Sequence, residues 1–216
     1  MKYGLELEFF VTDKADQIVP AFVATKNLDG NPVVGEIRTS VHDSITDAIF
    51  DLKKLLYLEE RKLRKDGYAI NFYPSVKVSN EFVRKLRTSK EYIASQNKEL
   101  LVEKSIYNGP LSRMNPRNVY TASLQINISC NSEVSFNYTN DKGHPQCFKR
   151  DVSNVFDYYT IIRHLDKSFA AKMKAERRIP GLYALKDGRY GARVEYRSLP
   201  NNVDLDRVIE VISELK

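Results

Sequence analysis

Two short stretches, almost the whole chain apart, share one pattern. In YGLELEFFVT (3–12), Glu6 and Glu8 alternate with Leu5, Leu7 and Phe9. In GARVEYRSLP (191–200), Arg193, Glu195 and Arg197 alternate with Val194 and Tyr196. Side chains of a strand point alternately to its two faces, so each stretch has one apolar and one charged face. Such strands belong in a sheet that packs one face on a core and leaves the other to water or to a site. Antiparallel sheets with helices on the apolar face satisfy that pattern, which makes the expected fold class α+β.

Further segments repeat it. VVGEIRTS (33–40) reads as a strand with Glu36 and Arg38 on one face. In VYTASLQINIS (119–129), Thr121, Ser123, Gln125, Asn127 and Ser129 oppose Tyr120, Ala122, Leu124, Ile126 and Ile128. Short strands are expected around 17–23 and over 68–76. The clearest helix has apolar residues at Ile45, Ala48, Ile49, Leu52, Leu55, Leu56 and Leu63, with Asp43 or Ser44 as N-cap and Gly67 just past its end. Helices are also expected around 89–103, near 151–173 and within VDLDRVIEVISELK (203–216). Residues 131–146 read as mostly connection and ERRIPGLY (176–183) as a cation-rich loop. The chain is expected to form a single domain over 1–216, with residues 79–118 as an insertion or flap.

Composition narrows the partners. Of 216 residues, 42% are hydrophobic, and no apolar run approaches the about 20 residues of a membrane span. Acids stand in the first ten residues where a leader would be apolar, so a cytoplasmic location is expected. Cys130 and Cys147 are too few for a disulfide framework or a thiolate metal site. A net charge of +6 suggests an anionic partner, either nucleic acid or nucleotide phosphate.

Collected, the polar faces carry Glu6, Glu8, Glu36, Arg38, Gln125, Asn127, Arg193, Glu195 and Arg197. Each element alone has a plain explanation: Glu-x-Glu is common on solvated sheets, and Arg-x-Glu-x-Arg can be an ion-pair ladder of little energy. Together they exceed what solubility needs. Clustered carboxylates suit Mg2+ or Mn2+, and arginine forks suit phosphate, the combination that metal-bound ATP requires.

With those residues in view, the chain resembles the glutamine synthetase and glutamate–cysteine ligase superfamily of carboxylate–amine ligases, and more narrowly the small amidoligase-like proteins encoded by bacteriophages. The resemblance rests on GLELEF (4–9), GEIRT (35–39), LQINIS (124–129), RRIPGLY (177–183) and ARVEYRSLP (192–200), in the family's order. It implies a curved, mainly antiparallel sheet flanked by helices on its convex face. It also implies roles: Glu6, Glu8 and Glu36 holding divalent metal, Glu195 the metal nearest the terminal phosphate, and Arg193 and Arg197 contacting phosphate and the substrate carboxylate. Arg177 or Arg178 would stabilise the transferring phosphoryl group. Arg38 and Asn127 join the nucleotide contacts, and Gln125 the metal ligands. Gln125-x-Asn127 stands where the family has His-x-His, and amide oxygens ligate more weakly than imidazole does for softer metals.

The function expected is ATP-dependent ligation of a carboxylate to an amine through an acyl phosphate, with ATP and Mg2+ (or Mn2+) and small-molecule or peptide substrates, in the host cytoplasm for a phage-encoded chain. Two alternatives stand beside it: a nucleic-acid-binding module, which the acids on the same face disfavour, and an inactive phage protein that keeps the ligase fold. Substrates, general base and oligomeric state are not legible.

Overall fold

The computed structural model describes residues 1–28, 31–90, 92, 104–107, 109–110, 118–129, 135–139, 145–149, 153–186 and 193–215. In chain order its strands are β1 (Lys2–Thr12), β2 (Ile18–Val19), β3 (Gly35–Arg38), β4 (Ala69–Asn71), β5 (Ser75–Lys77), β6 (Lys104–Ser105), β7 (Gly109–Pro110), β8 (Val119–Thr121), β9 (Ser123–Ser129), β10 (Ser135–Thr139), β11 (Pro145–Lys149), β12 (Leu182–Lys186) and β13 (Arg193–Pro200). Its helices are α1 (Ile45–Lys65), α2 (Asn80–Arg87), α3 (Ser153–Ser168), α4 (Ala170–Ala175) and α5 (Leu205–Ser213). The fold is mixed α+β, and every strand pairing among the described residues is antiparallel.

Strand β1 is the hub. It pairs with β9 along its first half and with β3 on its other edge, while β2 and β4 join near its end. Beyond β9 the main sheet continues through β13, β12, β6 and β7. The odd-numbered β1 residues Leu5, Leu7, Phe9 and Val11 share one core with Ile126 and Ile128 of β9, Val194 and Tyr196 of β13, and apolar residues of α1, α3 and α5. The expected apolar faces therefore pack on helices. A smaller cluster of Phe10, Val34, Val76, Val78, Leu86 and Ala122 sits on the opposite side of β1, next along from Glu6 and Glu8. It places β5 and α2 at one end of the charged face.

Helix α1 starts where its cap predicts, with Ser44 Oγ accepting from the Asp47 backbone N–H at 3.2 Å. It stops before Gly67, which takes φ +81°, a conformation that favours glycine. The turn into α1 is pinned by Asp51, whose Oδ2 lies 3.0 Å from His42 Nε2 and accepts from the Ser40 N–H at 3.0 Å. The His42 contact, reinforced by Ser40 against the opposing effect of burial, holds the Asp51 carboxyl below its ordinary value. A carboxyl depressed in the folded state stabilises above its unfolded pKa, and the contribution fades as pH falls through the folded one. Asp51→Asn is therefore expected to lower stability at pH 7 and to flatten the loss between neutral and acid pH, read by urea denaturation at both.

Several segments differ from the sequence reading. The strand expected over 68–76 is two, β4 and β5, because Phe72–Pro74 interrupts it. The strand over 119–129 divides at Ala122, whose N–H bonds to the Pro74 carbonyl rather than into the main sheet; β8 pairs with β5 instead. The helix expected near 151–173 is two, α3 and α4, parted at Phe169. The 17–23 segment forms only β2 and a short 3-10 turn. Residues read as connection form the β10–β11 hairpin, and the 176–183 loop already enters β12 at Leu182. Most of the helix expected at 89–103 and of the 108–118 loop lies outside the described residues. Among the described residues no helix is long and apolar enough to cross a membrane.

Candidate active site

The register of four neighbouring strands assembles the charged face. Across β3 and β1, Arg38 pairs with Glu6 and Glu36 with Glu8. Across β1 and β9, Glu6 pairs with Gln125 and Gly4 with Asn127. Across β9 and β13, Asn127 pairs with Glu195. Directly paired residues point to the same face, so acids and arginines from both ends of the sequence form one patch.

Side-chain contacts tie the patch together. Glu8 Oε2 accepts from the Ser123 backbone N–H at 2.8 Å and from Ser123 Oγ at 2.7 Å, and Glu8 Oε1 accepts from Gln125 Nε2 at 2.7 Å. Asn127 Nδ2 donates to Glu6 Oε1 at 3.1 Å, and Asn127 Oδ1 accepts from Arg193 Nε at 2.7 Å. Arg38 forms an ion pair with Glu36 and lies 3.5 Å from Glu6 Oε2. Arg197 Nη1 donates to Glu195 Oε1 at 2.5 Å. Glu6, Glu8, Glu36, Gln125, Asn127 and Glu195 are all buried, which is tolerable for charges only with this degree of pairing.

A β-bulge modifies the last segment. Between the pairs Tyr196–Ile126 and Leu199–Leu124, β13 spends one residue more than β9. Alternation thus runs from Arg193 to Arg197 and then shifts, so that Leu199 returns to the helix-side core. Ser198, inside the bulge and fully buried, accepts from the Leu182 N–H through its Oγ. Arg178 reaches the same place from the loop after α4, donating to the backbone carbonyls of Arg197 at 3.0 Å and Ser198 at 3.3 Å. Arg177 is exposed with φ +54°, and among the described residues it makes no hydrogen bond or ion pair with the patch. The two loop arginines are therefore not equivalent: one braces β13 and the other faces solvent.

Ser123 is the contact that the candidate set omitted. Its alternation with Gln125 and Asn127 was the available signal, since those three residues share a strand face. Asn201, which donates to the Glu8 backbone carbonyl at 3.2 Å, follows the bulge and carried no periodic signal.

The donors on this face are carboxylate and amide oxygens, the set that suits a hard divalent ion. Among the described residues no three His, Cys, Asp or Glu side chains already gather as a metal cluster. The atom that fits an added cation is Gln125 Oε1. Its residue is 1% exposed, its amide nitrogen is committed to Glu8, and the oxygen has no hydrogen-bond partner among the described residues. A buried acceptor left this way costs about 1–3 kcal/mol, which a cation or donor beside it would relieve. In comparisons with known proteins, the chain matches no family model and no curated sequence.

Proposed function

We propose that the chain is an ATP-dependent carboxylate–amine ligase and that the charged face of β3, β1, β9 and β13 is its active site. The observation that carries the reading is the meeting, on one sheet face, of the buried carboxylates Glu6, Glu8, Glu36 and Glu195 with the more exposed Arg38, Arg193 and Arg197. The finer fold belongs to this reading: a sheet curved as in glutamine synthetase, helices on its convex side and the site in the hollow. The cytoplasm, as the compartment that holds ATP, belongs to it as well.

The chemistry follows from charge. A carboxylate is a poor electrophile until its oxygen takes the γ-phosphoryl group of ATP; an amine then displaces phosphate and leaves an amide. Phosphoryl transfer asks the protein mainly for positioning and charge neutralisation. Arg193 and Arg197 present guanidinium groups for phosphate and for the substrate carboxylate. Arg38, at the half-exposed edge, offers a further cation to the nucleotide. Arg178 holds the backbone of β13 so that Arg197 and Glu195 keep their geometry. Asn127 couples Arg193 to Glu6, so that phosphate binding at one is felt at the other. Glu6, Glu8, Glu36, Glu195 and Gln125 would hold Mg2+ or Mn2+, which supplies neutralisation of the phosphate charge. No Ser or Cys nucleophile is required.

Calorimetry should detect ATP binding that depends on Mg2+. Arg193→Ala, which removes a partly exposed side chain, should weaken it at least about tenfold. Release of ADP on screening amino acids and small carboxylates would then identify the substrates. Absence of heat in the parent protein, or unchanged affinity in the variant, would falsify the enzyme reading. One observation favours a second reading, a catalytically silent descendant: Gln125 and Asn127 stand where the family has imidazoles, and their amide nitrogens donate to Glu8 and Glu6. ATP binding without turnover of any carboxylate–amine pair would select it.

A further inference from the structure

We infer that the hollow between α1 and the outer edge of β3 is a binding site for a small organic carboxylate with an apolar body. The cavity encloses about 390 Å³, within the range of about 300–1,000 Å³ typical of small-molecule sites. Its apolar walls are Leu28, Ile37 of β3, and Leu55 and Leu58 of α1. Leu58 is 42% exposed, an apolar surface that an aliphatic or aromatic group would cover.

The polar groups select the charge of the ligand. Lys26, Arg38 and Lys62 border the cavity, against the carboxylates of Glu36 and Glu59. Both acids are already matched. Glu36 is paired with Arg38. Glu59, buried in the wall, accepts from Thr25 Oγ1, from Asn27 Nδ2 at 2.9 Å and from Lys62 Nζ at 3.2 Å. Three cations against two engaged anions leave the lining with one excess positive charge. The side chains of Arg38 and Lys62 are 60% and 71% exposed and each carries several N–H donors, so they can meet an anion at the mouth while keeping Glu36 and Glu59. An anionic head at the rim with an apolar body inside fits this arrangement. A cationic ligand would meet like charge.

Glu59 gives the site its shape. By gathering Thr25 and Asn27 it fastens the segment after the 3-10 turn onto α1, and the Asn27 carbonyl in turn accepts from the Glu36 N–H at 3.0 Å. The wall is therefore held by polar contacts gathered around the buried Glu59. Glu36 and Arg38 belong both to this cavity and to the charged face of the sheet, so a carboxylate bound at the rim stands beside the proposed active site. Identifying that carboxylate as the ligase substrate rests on the ligase reading; binding itself does not.

Titration calorimetry at low salt with hexanoate, 1-hexanol, hexylammonium and inorganic phosphate tests the inference. Hexanoate should bind, and each of the other three at least about tenfold more weakly. Lys26→Gln/Lys62→Gln should weaken hexanoate about tenfold, the modest loss expected when two exposed cations are removed from beside an anion. Leu58→Trp fills the cavity from an exposed helix position and should block binding. Because the chain has no tryptophan, it also provides a fluorescence check of the fold. The inference is overturned by lack of hexanoate binding, by equal binding of any of the three comparison probes, or by unchanged affinity in folded Leu58→Trp. ATP titration runs in parallel: hexanoate binding without ATP binding sinks the ligase reading alone, and the reverse sinks the cavity alone.

Discussion

Arg197→Ala is expected to destabilise the protein by about 3–5 kcal/mol, the usual consequence of removing one member of a buried ion pair. The Arg197 side chain is 12% exposed and that of Glu195 is 0% exposed, with 2.5 Å between them. Truncating the arginine strips a fully buried carboxylate of its cation. Replacing both members with apolar side chains of similar size, Glu195→Leu/Arg197→Met, should behave differently. Neither charge then has to be desolvated, and stability should stay within about 1 kcal/mol of the parent or exceed it. The same double variant should lose Mg2+-dependent ATP binding. Urea denaturation and calorimetry on the two variants separate fold from function. A double variant as unstable as the single one would make the pair structural, and one that still binds ATP would remove it from the site.

Phe9→Ala should destabilise by about 3–5 kcal/mol, a large share of the about 5–15 kcal/mol that holds a domain of this kind. Phe9 is fully buried at the centre of the helix-side core. Its cross-strand partner is Gly35, and a Cβ built there would lie 2.5 Å from two carbons of the Phe9 ring. The glycine makes room for the aromatic ring, so Gly35→Ala should also destabilise, by about 1–3 kcal/mol through overpacking. Chemical denaturation reads both. A Gly35→Ala protein as stable as the parent would mean that the ring has another place to go.

Much of the local structure was legible because it depends on neighbours in sequence. The alternation of Glu6 and Glu8 with leucines, the 3.6-residue spacing of α1, the Ser44 cap and the Gly67 stop are short-range signals. The breaks were less visible. Ala122 sits in an unbroken alternation, yet its N–H bonds to the Pro74 carbonyl, a partner 48 positions away. The β10–β11 pair did carry a local signal, the alternation of SFNYT before the Gly-containing NDKGH stretch, which the reading as connection passed over; the division at Phe169 lacks one. Within the site, the candidate residues on β1, β3, β9 and β13 could be named from parity alone. The difference between Arg177 and Arg178 could not, because it depends on which guanidinium group reaches the β13 carbonyls.

The amino-acid sequence by itself determined which residues share a face within each unbroken strand or helix, since strand and helix periods are properties of the chain's own geometry. Only the tertiary structure decided which strands lie side by side, where the β13 bulge shifts parity, and that Glu8 is enclosed by Ser123 and Gln125. Those outcomes depend on long-range pairing and on satisfying every buried polar group at once, conditions that no local stretch of sequence can express.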